Sequence, residues 1–263
     1  MLRFVLYSTV IISTSYLSAQ ENYNLGARSN ALAGASLTIN DAWSNLNNIG
    51  TIGRVESTTG AITYQNRYNI PEFMVLGVSY IQPLNWFNAG MSFYRFGNDL
   101  FSEQKAGLAI GNKIQMVSLG FGANLIQYRI EGLGSWQYWV FEFGGVAQLT
   151  DQIFIGAHIF NMGVGKDIPV SMKSGLSYRP MSTLMINAEI HKTLDSKARF
   201  VGGIEYHIID PIALRSGIST NPFKSAYGLG FKIKPFVFNY AFINQGDLGV
   251  VHEISLDFLL EKK

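Results

Sequence analysis

Two histidines in this chain each stand two residues after a glutamate: His191 follows Glu189, and His207 follows Glu205. That spacing places each pair on one face of a β-strand, because side chains alternate there with a period of two. If residues 183–193 and 199–208 pair through the connection Leu194–Lys197, both dyads and Asn187 line one wall. An imidazole beside a carboxylate can move a proton or contribute ligands to a metal. The same groups also serve as a hydrogen-bonded polar lining, and both readings stay open here. Glu142, Arg215, Lys232 and Asp257 fall in the same phase of their own segments. Their mixed signs suit an ion-pair network better than a charge-selective pore. Arg28, far upstream, is a natural partner for one of these carboxylates, since a buried guanidinium needs an acceptor.

Motifs with a fixed mechanism are missing. The chain has no G-x-S-x-G and no H-E-x-x-H, and Gly163-Val164-Gly165-Lys166 has the wrong spacing to cradle a phosphate. With no cysteine there is no disulfide framework and no thiolate metal site. The expectation is a protein that is not an enzyme, with no catalytic residue, no metal and no cofactor.

The elements that must position these residues are strands. Apolar and polar residues alternate through most of the sequence: Ile254, Leu256, Phe258 and Leu260 oppose Glu253, Ser255 and Asp257, and Tyr227, Leu229, Phe231 and Ile233 oppose Gly228, Gly230, Lys232 and Lys234. Fourteen such runs are expected, at 56–68, 73–82, 86–96, 101–110, 114–128, 136–149, 152–161, 169–179, 183–193, 199–208, 212–219, 225–233, 236–243 and 250–260. The even-numbered connections are tight, among them Gly111-Asn112-Lys113, Pro180-Met181 and Lys234-Pro235. Most of the odd-numbered ones are longer, for example Arg129–Ser135 and Met162–Ile168.

Short turns on one rim, longer loops on the other and an even strand number describe a transmembrane antiparallel β-barrel of about 14 strands. Only 14% of residues are charged, with a net charge of +2. That is thin for a soluble surface, and no basic cluster marks a nucleic-acid partner. Trp86, Phe87, Trp136, Tyr138, Trp139, Phe141, Phe143, Phe236 and Phe238 gather near strand ends, where interfacial aromatic girdles sit. Residues 1–19, with Arg3, an apolar run from Phe4 to Ile12 and Leu17-Ser18-Ala19, read as a signal peptide. The expected location is therefore the cell outer membrane, with its lipid as the surrounding partner.

Residues 20–53 break the alternation and are small and polar. Ahead of a barrel too wide to fill with its own side chains, they are expected to fold inside it as a plug. The strands occupy 54–263. The plug residues expected to matter are Gly26, Ala27, Arg28, Gly34, Asp41, Asn47 and Gly50. The lumen-lining set is Glu142, Asn187, Glu189, His191, Glu205, His207, Arg215, Lys232 and Asp257.

Gly26-Ala27-Arg28, Ala33-Gly34-Ala35, Asp41 and the stretch Asn47 to Gly50 resemble the amino-terminal pattern of the PorV/PorQ family, a branch of the FadL-like outer-membrane barrels. Gly203-Ile204-Glu205-Tyr206 and Leu214-Arg215-Ser216-Gly217 resemble its carboxyl-terminal half. Asn48 and Ile49 stand where relatives have Pro-Ala. The resemblance implies a non-enzymatic, partner-binding barrel linked to type IX protein secretion, touching secretion-system or cargo proteins. The alternative within the same group is a FadL-like channel for passive transport of hydrophobic small molecules.

Overall fold

The structure, a computed structural model, describes residues 24–162, 167–194 and 196–260. The expected signal peptide, the first residues of the expected plug and Gly163-Val164-Gly165-Lys166 lie outside the described residues.

Fourteen antiparallel strands close into a single barrel. They are β1 (Thr58–Arg67), β2 (Met74–Pro83), β3 (Asn88–Gly97), β4 (Phe101–Ile114), β5 (Val117–Ile130), β6 (Gly134–Gln148), β7 (Ile153–Phe160), β8 (Ser171–Met181), β9 (Leu184–Thr193), β10 (Arg199–Ile209), β11 (Ile212–Ser219), β12 (Lys224–Ile233), β13 (Phe236–Asn244) and β14 (Val250–Leu260). Each strand pairs with its sequence neighbours. The ring closes between β1 and β14, in a continuous register from Thr58 opposite Leu260 to Arg67 opposite Val251. The ring therefore has no first or last strand left with a free edge, the condition under which strands can cross a bilayer.

Alternation decides which side chains face out. Along β14, Glu253, Ser255 and Asp257 are buried, while Ile254 between them is 58% exposed. The outward residues Ile62, Leu108, Ile218 and Leu229 are likewise at least half exposed, an apolar coat that suits lipid and not water. No helix among the described residues is long and apolar enough to cross a membrane. The strands cross instead.

The segment ahead of β1 folds inside the ring. Its short helices α1 (Ala27–Ala31) and α2 (Ser44–Asn47) are followed by a 3-10 turn at Ile49–Arg54. Leu25, Leu32, Ala35, Trp43, Ile49 and Ile52 are almost wholly buried among inward strand residues. Close backbone approach makes this possible. A Cβ on Gly50 would lie 2.3 Å from the Gly145 nitrogen in the β6 wall, and one on Gly120 would lie 2.1 Å from the Ile49 carbonyl oxygen. Only glycine lets the inner segment lie this close to the sheet.

Three connections differ from expectation. Gly111-Asn112-Lys113 is strand, and the β4–β5 turn falls at Gln115-Met116. Gly111 is consumed by packing on Ile52 and not by turning. β8 runs on through Pro180 to Met181, where a bulge between Tyr178 and Met181 spares the ladder the proton that proline lacks. The expected loop Arg129–Ser135 shrinks to residues 131–133, because β5 and β6 extend to Ile130 and from Gly134. The inner segment also runs past Gly53 to Arg54.

Candidate functional site

The inward face carries four polar clusters, each tying strands to the inner segment or to one another. The largest centres on Glu205 of β10. Arg28 of α1 donates to it through Nε and Nη2, at 2.8 and 2.6 Å, and Arg215 of β11 donates through Nε at 2.6 Å. Arg215 passes the chain on to Asn239 of β13 at 2.9 Å, and Asn239 donates to Asp257 of β14 at 3.2 Å. The Trp43 indole N–H closes it on Asp257 at 2.9 Å. Asp41 stands 3.5 Å from Arg28. Burial pushes the Asp41 carboxyl up from its ordinary range, against the pull of Arg28.

The second cluster centres on Glu253, which accepts from the Gly26 amide at 2.9 Å, from Thr63 at 2.8 Å, and from Asn30 and Gln65. In the third, Glu189 accepts the Leu37 amide at 2.7 Å and contacts His191 Nε2 at 2.7 Å, while Arg199 reaches the other ring nitrogen. The fourth belongs to the wall alone. Glu142 of β6 takes Lys105 of β4 at 2.8 Å, Asn124 of β5 at 2.6 Å and His158 of β7 at 2.9 Å.

Most of the lumen residues read from the sequence sit in these clusters. Asn187 donates to the Ala35 carbonyl at 2.7 Å. Two do not join. His207 is half-buried near the short-turn mouth and apart from Glu189 and His191, so the two dyads form no joint site. Lys232 is exposed at the same mouth. The inward phase was right for both, but each lies at the strand end beyond the inner segment. Among the described residues, no group of three His, Asp or Glu side chains is arranged to hold a metal.

Within the inner segment, Asn47 exchanges both its side-chain bonds with the Leu25 backbone, and the Ala27 amide donates to Ser255. A Cβ on Gly34 would meet the Asn24 amide 2.5 Å away. Asn48 accepts the Gly50 amide at 2.9 Å and donates to the Leu37 carbonyl at 2.6 Å. Lys105, His158 and Asn239 were not singled out from the sequence. Strand phase alone marks all three as inward, and only the register shows which carboxylate each one meets.

At the long-loop end the lining changes character. Tyr94, Phe96, Tyr128, Tyr138 and Phe160 face inward around Leu25, Trp43, Leu46, Val75, Ile126, Val140 and Ile168. Tyr138 thus belongs to the interior and not to the lipid-facing girdle. Lys105 lies 4.8 Å from the Phe160 ring, so the Glu142 cluster borders these aromatic side chains. Beside them β6 runs further than β7 does. The β6–β7 ladder ends at Glu142 opposite Phe160 and is extended by one bond, from the Met162 amide to the Phe141 carbonyl at 3.1 Å. Residues 134–140 of β6 have no β7 partner among the described residues. At the opposite end, a cavity of about 460 Å³ opens beneath the inner segment, lined by Arg28, Asp41, His207, Arg215, Lys232 and Asp257.

A closed fourteen-strand ring with its amino-terminal segment folded inside invites comparison with solved barrels. The Ralstonia pickettii toluene transporter TbuX superposes with a TM-score of 0.76 at 12% identity, over 91% of this chain and 99% of that one. The fold is that of the FadL-like outer-membrane barrels. The Pseudomonas putida toluene transporter TodX gives 0.68 at 10% identity, covering 91% of this chain and 98% of its own. A Pseudomonas aeruginosa FadL homologue gives 0.68 at 12%, covering 90% and 99%. No family model matches the sequence, and no curated protein matches it. At these identities the FadL-like likeness is one of fold, and it assigns no residue a role.

Proposed function

We propose that this FadL-like barrel gives passage to a hydrophobic small molecule across the outer membrane, and that it is not an enzyme. The observation that carries the reading is the cluster of inward rings Tyr94, Phe96, Tyr128, Tyr138 and Phe160 at the long-loop end, packed around Leu25, Trp43 and Leu46. A water-filled pore gains nothing from five inward rings, whereas an apolar ligand gains both dispersion contact and release of ordered water. The fold comparisons support the same reading, since the neighbours named above are transporters of toluene or relatives of FadL.

The inner segment fills the route straight through. A ligand held among these rings therefore leaves beside Tyr138 and Phe160, where residues 134–140 of β6 have no β7 partner among the described residues. It enters the bilayer sideways and avoids the charged layers below. The secretion role implied by the PorV/PorQ resemblance rests on the amino-terminal pattern and on the stretches 203–206 and 214–217, whereas the solved barrels named above are toluene transporters and a FadL homologue.

Binding tests the reading. Toluene titrated into the detergent-solubilised barrel should quench Trp43 and tyrosine emission saturably, and the variant Tyr138→Ala, Phe160→Ala should bind at least tenfold more weakly. Equal binding by that variant, with its barrel folded, rules the ring cluster out as the binding site.

A further inference from the structure

At the short-turn mouth two arginines converge on one ring. The guanidinium carbon of Arg54, last residue of the 3-10 turn, lies 5.2 Å from the Phe154 centroid, and that of Arg179 in β8 lies 4.2 Å from it. Phe154 is buried and faces the lumen, so both cations are held at the edge of the interior. Neither has a carboxylate within ion-pair distance among the described residues, in contrast to Arg28 and Arg215, which share Glu205. Glu56, two residues beyond Arg54, is exposed and forms no ion pair with it.

The hydrogen bonds they do make are to neutral groups. Arg54 Nη2 donates to Gln148 at 3.2 Å, and Arg179 donates to the Thr38 carbonyl at 3.0 Å and to Ser177 at 3.3 Å. Arg54 Nη1 is buried with no partner, and so is the hydroxyl of Thr38 next to Arg179. The bulge between Tyr178 and Met181 surrounds Arg179, a device that re-aims a side chain at a sheet's end. Two like charges brought together with no carboxylate paired to either repel, and stacking on Phe154 satisfies their faces while Arg54 Nη1 stays without a partner.

We propose that Arg54 and Arg179, with the Thr38 hydroxyl, bind a small oxyanion, a carboxylate or a phosphate. The planar guanidinium fork matches both anions, donating two parallel hydrogen bonds to either. Because Phe154 points into the lumen, the anion arrives from the aqueous phase at the short-turn mouth and not from a lipid headgroup. Arg54 ends the inner segment and Arg179 belongs to the wall, so a bound anion clamps one to the other. The site stands apart from the aromatic cluster at the long-loop end and does not depend on the passage reading.

Isothermal titration calorimetry on the detergent-solubilised barrel tests it. Sodium phosphate and sodium acetate are titrated separately against a background of matched ionic strength. At least one should give a saturable single-site isotherm. Arg54→Gln and Arg179→Gln should each weaken it at least tenfold, and Arg54→Lys should keep part of the affinity. Heat-modifiable electrophoresis identifies the folded variants, and if Arg179→Gln fails to fold, Arg54→Gln decides. Absence of saturable heat with both anions overturns the proposal. So does a folded Arg54→Gln variant that binds as the unaltered chain does, which would leave the pair a stacking contact only.

Discussion

Glu205 carries two guanidiniums on one carboxylate, one from α1 and one from β11. Replacing it with glutamine keeps the shape but leaves Arg215 without its paired carboxylate and Arg28 with only Asp41, 3.5 Å away. Breaking a buried pair in this way costs about 3–5 kcal/mol. Glu205→Gln should therefore lower the temperature at which the folded form is lost in heat-modifiable electrophoresis, while Lys232→Gln, at the exposed mouth, should leave it unchanged. If Glu205→Gln melted with the parent, the network would not be what holds the inner segment. The inward set was legible in the sequence, because Glu142, Glu189, Glu205, Arg215 and Asp257 all sit in the polar phase of their strands. Arg28 was legible as a partner for one of these carboxylates, but which one was not. Arg28 and Glu205 are separated by 177 positions, and no local spacing encodes which strand ends up beside which helix.

At the scale of the strand, the outward phase has its own test. Ile254 lies near the middle of β14 and points away from the lumen. Ile254→Arg places a cation in the hydrocarbon at a cost of about 2–4 kcal/mol near mid-membrane. It should cut the yield of folded, membrane-inserted protein in a refolding assay, and Ser255→Ala beside it should not. Equal yields would reverse the assignment of faces. Alternation made the strands readable because a closed barrel exposes each to two unlike media. Turn positions were less readable where one residue type serves two ends. Gly111 looks like a turn glycine and is needed for packing on Ile52. Gln115 enters the left-handed region at φ 53° with no glycine to announce it. The short β7 left no signal either, since the alternation through His158 and Phe160 does not show that its β6 neighbour runs on beyond it, paired there with β5.

The whole molecule is a barrel whose middle is occupied by its own amino-terminal segment. Glu189, Glu205 and Glu253 all bond to that segment, which makes it an integral filling. Deleting residues 24–55 should turn a closed barrel into a conducting one, with stepwise currents in planar-bilayer recordings where the full chain shows none. Unchanged currents from a folded deletion variant would mean that the wall itself closes the pore.

Transport is the most direct test of the central claim. Cells lacking other routes for aromatic hydrocarbons, with and without this chain in the outer membrane, are given radiolabelled toluene at low concentration, and initial uptake is measured. Expression of the chain should raise the rate several-fold, and the Tyr138→Ala, Phe160→Ala variant should return it towards background. Uptake that is the same with and without the protein, at confirmed surface levels, would contradict the account.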